Sequence, residues 1–151
     1  MCYVAWAMSN ALYDRDFYAW TAEQAALLRA GQLDRLDIDN LAEEIDTLGR
    51  GEKRELVSRL TVLLTHLLKW QFQPRYRGAS WEATIFVQRA DLADHLADNP
   101  SLRDGIDGFI AAAYLRARVA ARGETGLSDQ AFPPTCPYAF ADMMREGFWP
   151  E

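Results

Sequence analysis

The sequence predicts an all-α fold: a bundle of about five helices with a proline- and aromatic-rich C-terminal tail packed over it. Three observations carry this reading. Residues 55–73 hold a long apolar pattern at helical spacing that stops at Pro74. No segment shows the apolar–polar alternation of a half-buried strand. Hydrophobic residues make up 50% of the 151, enough for a core without disulfide or metal staples.

The stretch Glu55 to Gln73 is the central helix of this reading. With Leu60 at the front of a helical wheel, Leu56, Val57, Leu63, Leu64, Leu67, Leu68 and Trp70 cover an arc of about 160°. Ser58, Thr61, Thr65 and Lys69 fall opposite, and His66 lies at the edge of the polar face. An arc this wide touches at least two neighbouring helices. Polar residues interrupt it too often for a membrane span, which needs ~20 mostly apolar residues.

The other elements follow in chain order. Asp14 or Asp16 caps a first helix through Phe17, Trp20, Ala25, Leu27 and Leu28, and Gly31 suits the position just past its end. A second helix repeats Ile38, Leu41, Ile45 and Leu48 at intervals of three and four, and Gly49-Arg50-Gly51 is expected to break it. After a loop at residues 75–79, Ser80 is the expected N-cap of a fourth helix with Trp81, Ile85, Gln88, Leu92 and Leu96 buried. Asn99-Pro100 stops it, and a fifth helix from Ser101 carries Leu102, Ile106, Phe109, Ile110, Ala113, Ala117 and Ala120. Beyond Gly123, Pro133, Pro134, Pro137 and Pro150 break regular structure. Phe132, Tyr138, Phe140, Phe148 and Trp149 anchor this tail on the bundle, with a short helix near Ala139 to Glu146.

Residues 1–12 read as an irregular N-terminal extension and 13–151 as a single helical domain. Residues 1–7 are apolar, but no basic residue precedes them, so they are not read as a signal peptide. The net charge of −6 disfavours non-specific coating of nucleic acid or anionic membrane. Cys2 and Cys136 have neither a disulfide framework nor a metal-knuckle spacing, so both are read as reduced thiols of a cytoplasmic protein.

Several spaced pieces share one resemblance. They are Asp14-x-Asp16-Phe17-Tyr18-x-Trp20, Asn40-Leu41-x-Glu43-Glu44-Ile45-x-x-Leu48-Gly49 and His66-Leu67-Leu68-Lys69-Trp70-x-x-Gln73-Pro74. Ser80-Trp81-x-x-Thr84-Ile85, Pro100-Ser101-Leu102, Glu124-Thr125-Gly126 and Phe132-Pro133-x-x-Cys136-Pro137-Tyr138 follow. Together they resemble the bacterial domain of unknown function family 29, from about Tyr13 to Pro150. The resemblance implies an all-helical domain and supplies no activity, ligand or catalytic residue.

Two constellations are candidates for chemistry. Asp39, Glu43 and Glu44, with His66 from the next helix, would suit a divalent metal and an activated water if the two helices formed a hairpin. The plainer alternative is a solvated acidic face. The second is a basic-aromatic junction of Lys69, Trp70, Arg75, Tyr76, Arg77 and the Ser80 helix start, with Phe72, Trp81 and Arg89 nearby. It would suit a phosphate or carboxylate, with a flat ring stacked on Trp70 or Tyr76. Its plainer alternative is aromatics filling the bundle end and arginines in solvent or paired with the acidic helix. No complete catalytic set is present. The expectation is therefore an interaction module without catalysis or cofactor, binding a protein partner or a second copy. A metal-dependent hydrolase or nuclease and a nucleotide or single-strand binder are the alternatives.

Overall fold

The computed structural model describes residues 11–151. The expected extension therefore lies outside the described residues as far as residue 10, and residues 11–15 are helical. The remaining helices are α1 (Phe17–Arg29), α2 (Ile38–Phe72), α3 (Ala79–Asp98), α4 (Ile106–Thr125) and α5 (Phe140–Met144). Short 3-10 segments punctuate the connections at Leu33–Arg35, Pro74–Tyr76, Pro100–Gly105 and Asp129–Ala131. No strand occurs among the described residues, so the fold is all-α, as expected.

The largest difference from the sequence reading lies in α2. Gly49-Arg50-Gly51 does not break it, and the expected second and central helices are one helix of 35 residues. Each interior glycine costs about 1 kcal/mol relative to alanine. Ending a helix and nucleating another costs more, and the following Glu52-Lys53-Arg54-Glu55 are strong helix formers. A Cβ built on either glycine would meet nothing within 4 Å, so neither marks a close approach.

The chain groups into two compact units. One ends at Gly51 and the other runs Glu52–Glu151. In the first, Asp16 caps α1 by accepting from the Ala19 amide at 3.0 Å. Gly31, at φ 69, ends α1, its amide donating to the Leu28 carbonyl while the Gln32 amide reaches Leu27. Trp20 and Leu27 are buried, but so is Gln24, whose side chain accepts from the Asp37 amide at 2.8 Å. Asp37 is buried just before α2 and accepts from Trp20 Nε1 at 3.0 Å and Asn40 Nδ2 at 2.8 Å. Its charge also sits at the positive end of the α2 dipole.

In the second unit all eight residues of the expected arc from Leu56 to Trp70 are buried. Thr65 and Lys69, expected on the open face, are buried as well. Thr61 and Thr65 return their hydroxyls to the Val57 and Thr61 carbonyls, both at 2.7 Å, so burial costs these side chains no hydrogen bond. Helix α3 contributes Ile85, Leu92 and Leu96 to the core, and α4 contributes Ile110, Ala113, Tyr114, Ala117 and Ala121. The stripe of α4 ends at Ala121 rather than Ala120, and the α-helix begins at Ile106 after a 3-10 turn rather than at Ser101. The tail packs as expected: Phe132, Tyr138 and Met143 are buried, and Tyr114 donates to the Pro133 carbonyl at 2.7 Å. Its helix, Phe140–Met144, is shorter than expected.

Candidate functional site

The basic-aromatic junction forms where α2 turns into α3. The Pro74–Tyr76 turn cannot continue α2, because Pro74 lacks an amide proton. Helix α3 then starts with Gly78 as its N-cap and no side-chain cap, so Ser80 lies in the first turn instead of capping it. The Ser80 carbonyl accepts from Thr84 Oγ1 at 3.1 Å.

Each cationic side chain has its own surroundings. Lys69 is buried, donates to Glu124 Oε2 at 2.5 Å and lies 4.7 Å from the Trp81 ring centre. Arg77 donates through Nε to the Trp70 carbonyl at 2.8 Å, satisfying one of the orphan acceptors at the end of α2. Its guanidinium lies 5.2 Å from the Trp70 ring. Arg75 has no partner among the described residues, and Tyr76 beside it is 69% exposed. Thus Lys69 and Arg77 spend donors on the protein itself, while Arg75, Tyr76 and Ser80 face solvent.

Sequence reasoning noted Arg89 only as a nearby charge, yet it holds the C-terminal segment. Its Nε donates to the Met143 carbonyl at 2.7 Å, Nη1 to Glu146 at 3.2 Å and Nη2 to Phe148 at 2.7 Å. Arg77, Trp70, Trp149 and Arg89 form a ladder of alternating contacts, with the two indoles 4.5 Å apart and Arg89 5.5 Å from Trp149. Gln71 ties the same segment by donating to the Glu151 carbonyl at 2.9 Å and accepting from Tyr138 Oη at 2.7 Å. Burial pulls the Arg89 pKa down, opposed by the Glu146 charge, but a guanidinium stays protonated at neutral pH. None of these partners is local in sequence, so no spacing announces them.

The acidic candidates Asp39, Glu43 and Glu44 belong to the first unit and His66 to the second. The expected break at Gly49–Gly51 is absent, since α2 runs from Ile38 to Phe72 without interruption. Glu43 pairs with Arg50 at 2.8 Å, and Glu44 accepts from Tyr13 Oη at 2.5 Å. That hydrogen bond, with some desolvation, pushes the Tyr13 pKa up to about 12. In the second unit His66 Nδ1 meets the Val62 carbonyl at 2.9 Å. Burial lowers the His66 pKa, against the effect of that hydrogen bond. Among the described residues no three His, Cys, Asp or Glu side chains are grouped as a metal site requires.

Cys136 lines a cleft of about 220 Å³ with Ile110, Ala111, Tyr114, Leu115 and Asp107. Burial raises its pKa, so the thiol is protonated at neutral pH and is a poor nucleophile.

No helix of the described residues is long and apolar enough to cross a membrane. No curated protein and no solved structure matches the chain. A family model described as Domain of unknown function DUF29 matches residues 12–149. That match spans the first helix, the whole of α2 to α5 and the tail that Arg89 holds down, so the chain belongs to the family Domain of unknown function DUF29.

Proposed function

We propose that this chain is an interaction module that holds an amphipathic helical segment of a partner protein and carries out no catalysis of its own. The observation behind this reading is the row Ile38, Leu41, Ile45 and Leu48 on the first turns of α2. Its spacing of three and four aligns the row along one face. Ile38, Ile45 and Leu48 are 62%, 65% and 70% exposed. A contiguous row of large apolar side chains in water favours a partner that covers it. Ala42 and Gly49 border the row and let a second helix come close. The lack of a catalytic role rests on the engagement of Glu43 with Arg50 and of Glu44 with Tyr13.

The test is a photo-crosslinking amino acid placed at Ile45 in the cell of origin, with Glu43 on the opposite face as control. The expected result is one discrete protein adduct at position 45, none at 43, and loss of the adduct when Leu48→Glu is added. Adducts that do not depend on position, or none at all, would sink the reading.

A further inference from the structure

A second face, on α4, has the chemistry of a contact between two copies of this chain. Ala111, Leu115 and Val119 succeed one another at intervals of four along the outside of the helix. Leu115 is 62% exposed and Val119 56%. Gly108 and Ala112 flank this stripe, both exposed, and a Cβ at Gly108 would meet nothing within 4 Å. The ends of the stripe carry opposite charges: Asp107 at the N-terminal end and Arg122 at the C-terminal end. Both are exposed, and neither has a partner among the described residues. The cleft of about 220 Å³ walled by Ile110, Tyr114 and Cys136 opens beside Leu115. It is smaller than the ~300–1,000 Å³ common for small-molecule sites, and suits a single aliphatic side chain.

We infer that two copies associate through this stripe with their α4 helices antiparallel about a two-fold axis near Leu115. The charge pattern selects this arrangement. In antiparallel register a two-fold at residue 115 sets Asp107 of one copy opposite Arg122 of the other, and the symmetry makes the pair twice. A parallel pairing would set Asp107 against Asp107 and Arg122 against Arg122. The same register brings Val119 over the small residues Gly108 and Ala111, and the two Leu115 side chains to the axis, each next to the other copy's cleft. Antiparallel helix dipoles add a small favourable term. This face is separate from the Ile38–Leu48 row, so the inference does not rest on the proposed partner.

The test is sedimentation velocity on the full chain from micromolar to hundreds of micromolar, with circular dichroism to check that each variant is folded. The expected result is a reversible dimer. Leu115→Glu should yield monomer at every concentration, and because Leu115 is exposed the variant should keep the fold, which dichroism checks. Arg122→Glu and Asp107→Arg should each weaken the dimer by ~10-fold or more, because each sets like charges face to face. The double variant Asp107→Arg with Arg122→Glu should restore it, a rescue that a merely structural role would not produce. Ile45→Glu should leave the dimer unchanged. A chain that is monomeric throughout, a dimer indifferent to Leu115→Glu, a double variant without rescue, or a dimer lost in Ile45→Glu would each overturn the inference. Should Leu115→Glu fail to fold, the two single charge variants and their rescue decide the matter.

Discussion

Arg89 directs three guanidinium nitrogens at backbone carbonyls from Met143, Glu146 and Phe148. Hydrogen bonds from a charged donor contribute about 1.5–3 kcal/mol each, and this offsets the desolvation that burial imposes. The tail segment has too few amide–carbonyl pairs to satisfy its own acceptors, so a planar donor fork answers them. His66 illustrates the opposite case, a titratable group that burial keeps neutral. Its folded pKa lies below the ordinary 6.5, so the unfolded chain takes up a proton first as pH falls. Stability from this group is therefore present above pH 6.5 and lost as pH drops through 6.5 towards the folded value. Urea melts of the wild type and His66→Gln between pH 8 and 5 should show a steeper loss in the wild type. Parallel loss in both would mean that His66 is not the group involved. The burial of Arg89 was not legible in the sequence, since its acceptors lie more than fifty residues away and are backbone atoms. The hydroxyl bonds of Thr61 and Thr65 were legible, because they depend on one helical turn alone.

At the scale of elements, α2 is the instructive case. The apolar arc of its C-terminal half, Leu56 to Trp70, is buried as its spacing predicts, because a wide apolar arc has no stable alternative to burial. The supposed break at Gly49–Gly51 was misread because glycine weakens a helix without forbidding it, and no proline is nearby to end it. The structure thereby makes a quantitative claim. Gly49→Ala and Gly51→Ala should each stabilise the helix by about 0.5–1 kcal/mol, since a methyl group at either position meets open space. Amide exchange across residues 45–55 should slow in both variants. Unchanged or faster exchange would show that the chain does bend there. Pro74 and Gly31 acted as the sequence reading anticipated, one ending α2 and the other ending α1 with a positive φ. Ser80 did not, because Gly78 already has the extended backbone of a cap and α3 starts from it.

At the scale of the molecule, the tail belongs to the second unit's core. Phe132 packs edge-on to Phe72 at 5.3 Å, Trp149 lies 4.5 Å from Trp70, and Arg118 pairs with Asp129 at 2.8 Å. Truncation after Gly126 should lower the melting temperature and raise binding of a hydrophobic dye, because Trp70, Tyr114 and the Phe72 ring lose their cover. An unchanged melting temperature with no added dye binding would make the tail an independent arm. By itself the sequence determined the all-α class, the buried face of α2 and the recruitment of the tail aromatics. Those follow from local periodicity and from the cost of leaving large apolar groups in water. Tertiary structure alone decided which charges face water. Lys69 is buried against Trp81 and Glu124, Arg89 is spent on tail carbonyls, and Arg75 stays free in solvent. Side chains with similar local sequence signals thus acquired different roles. A charge is placed by the partners that solvate it, and here those partners come from distant parts of the chain.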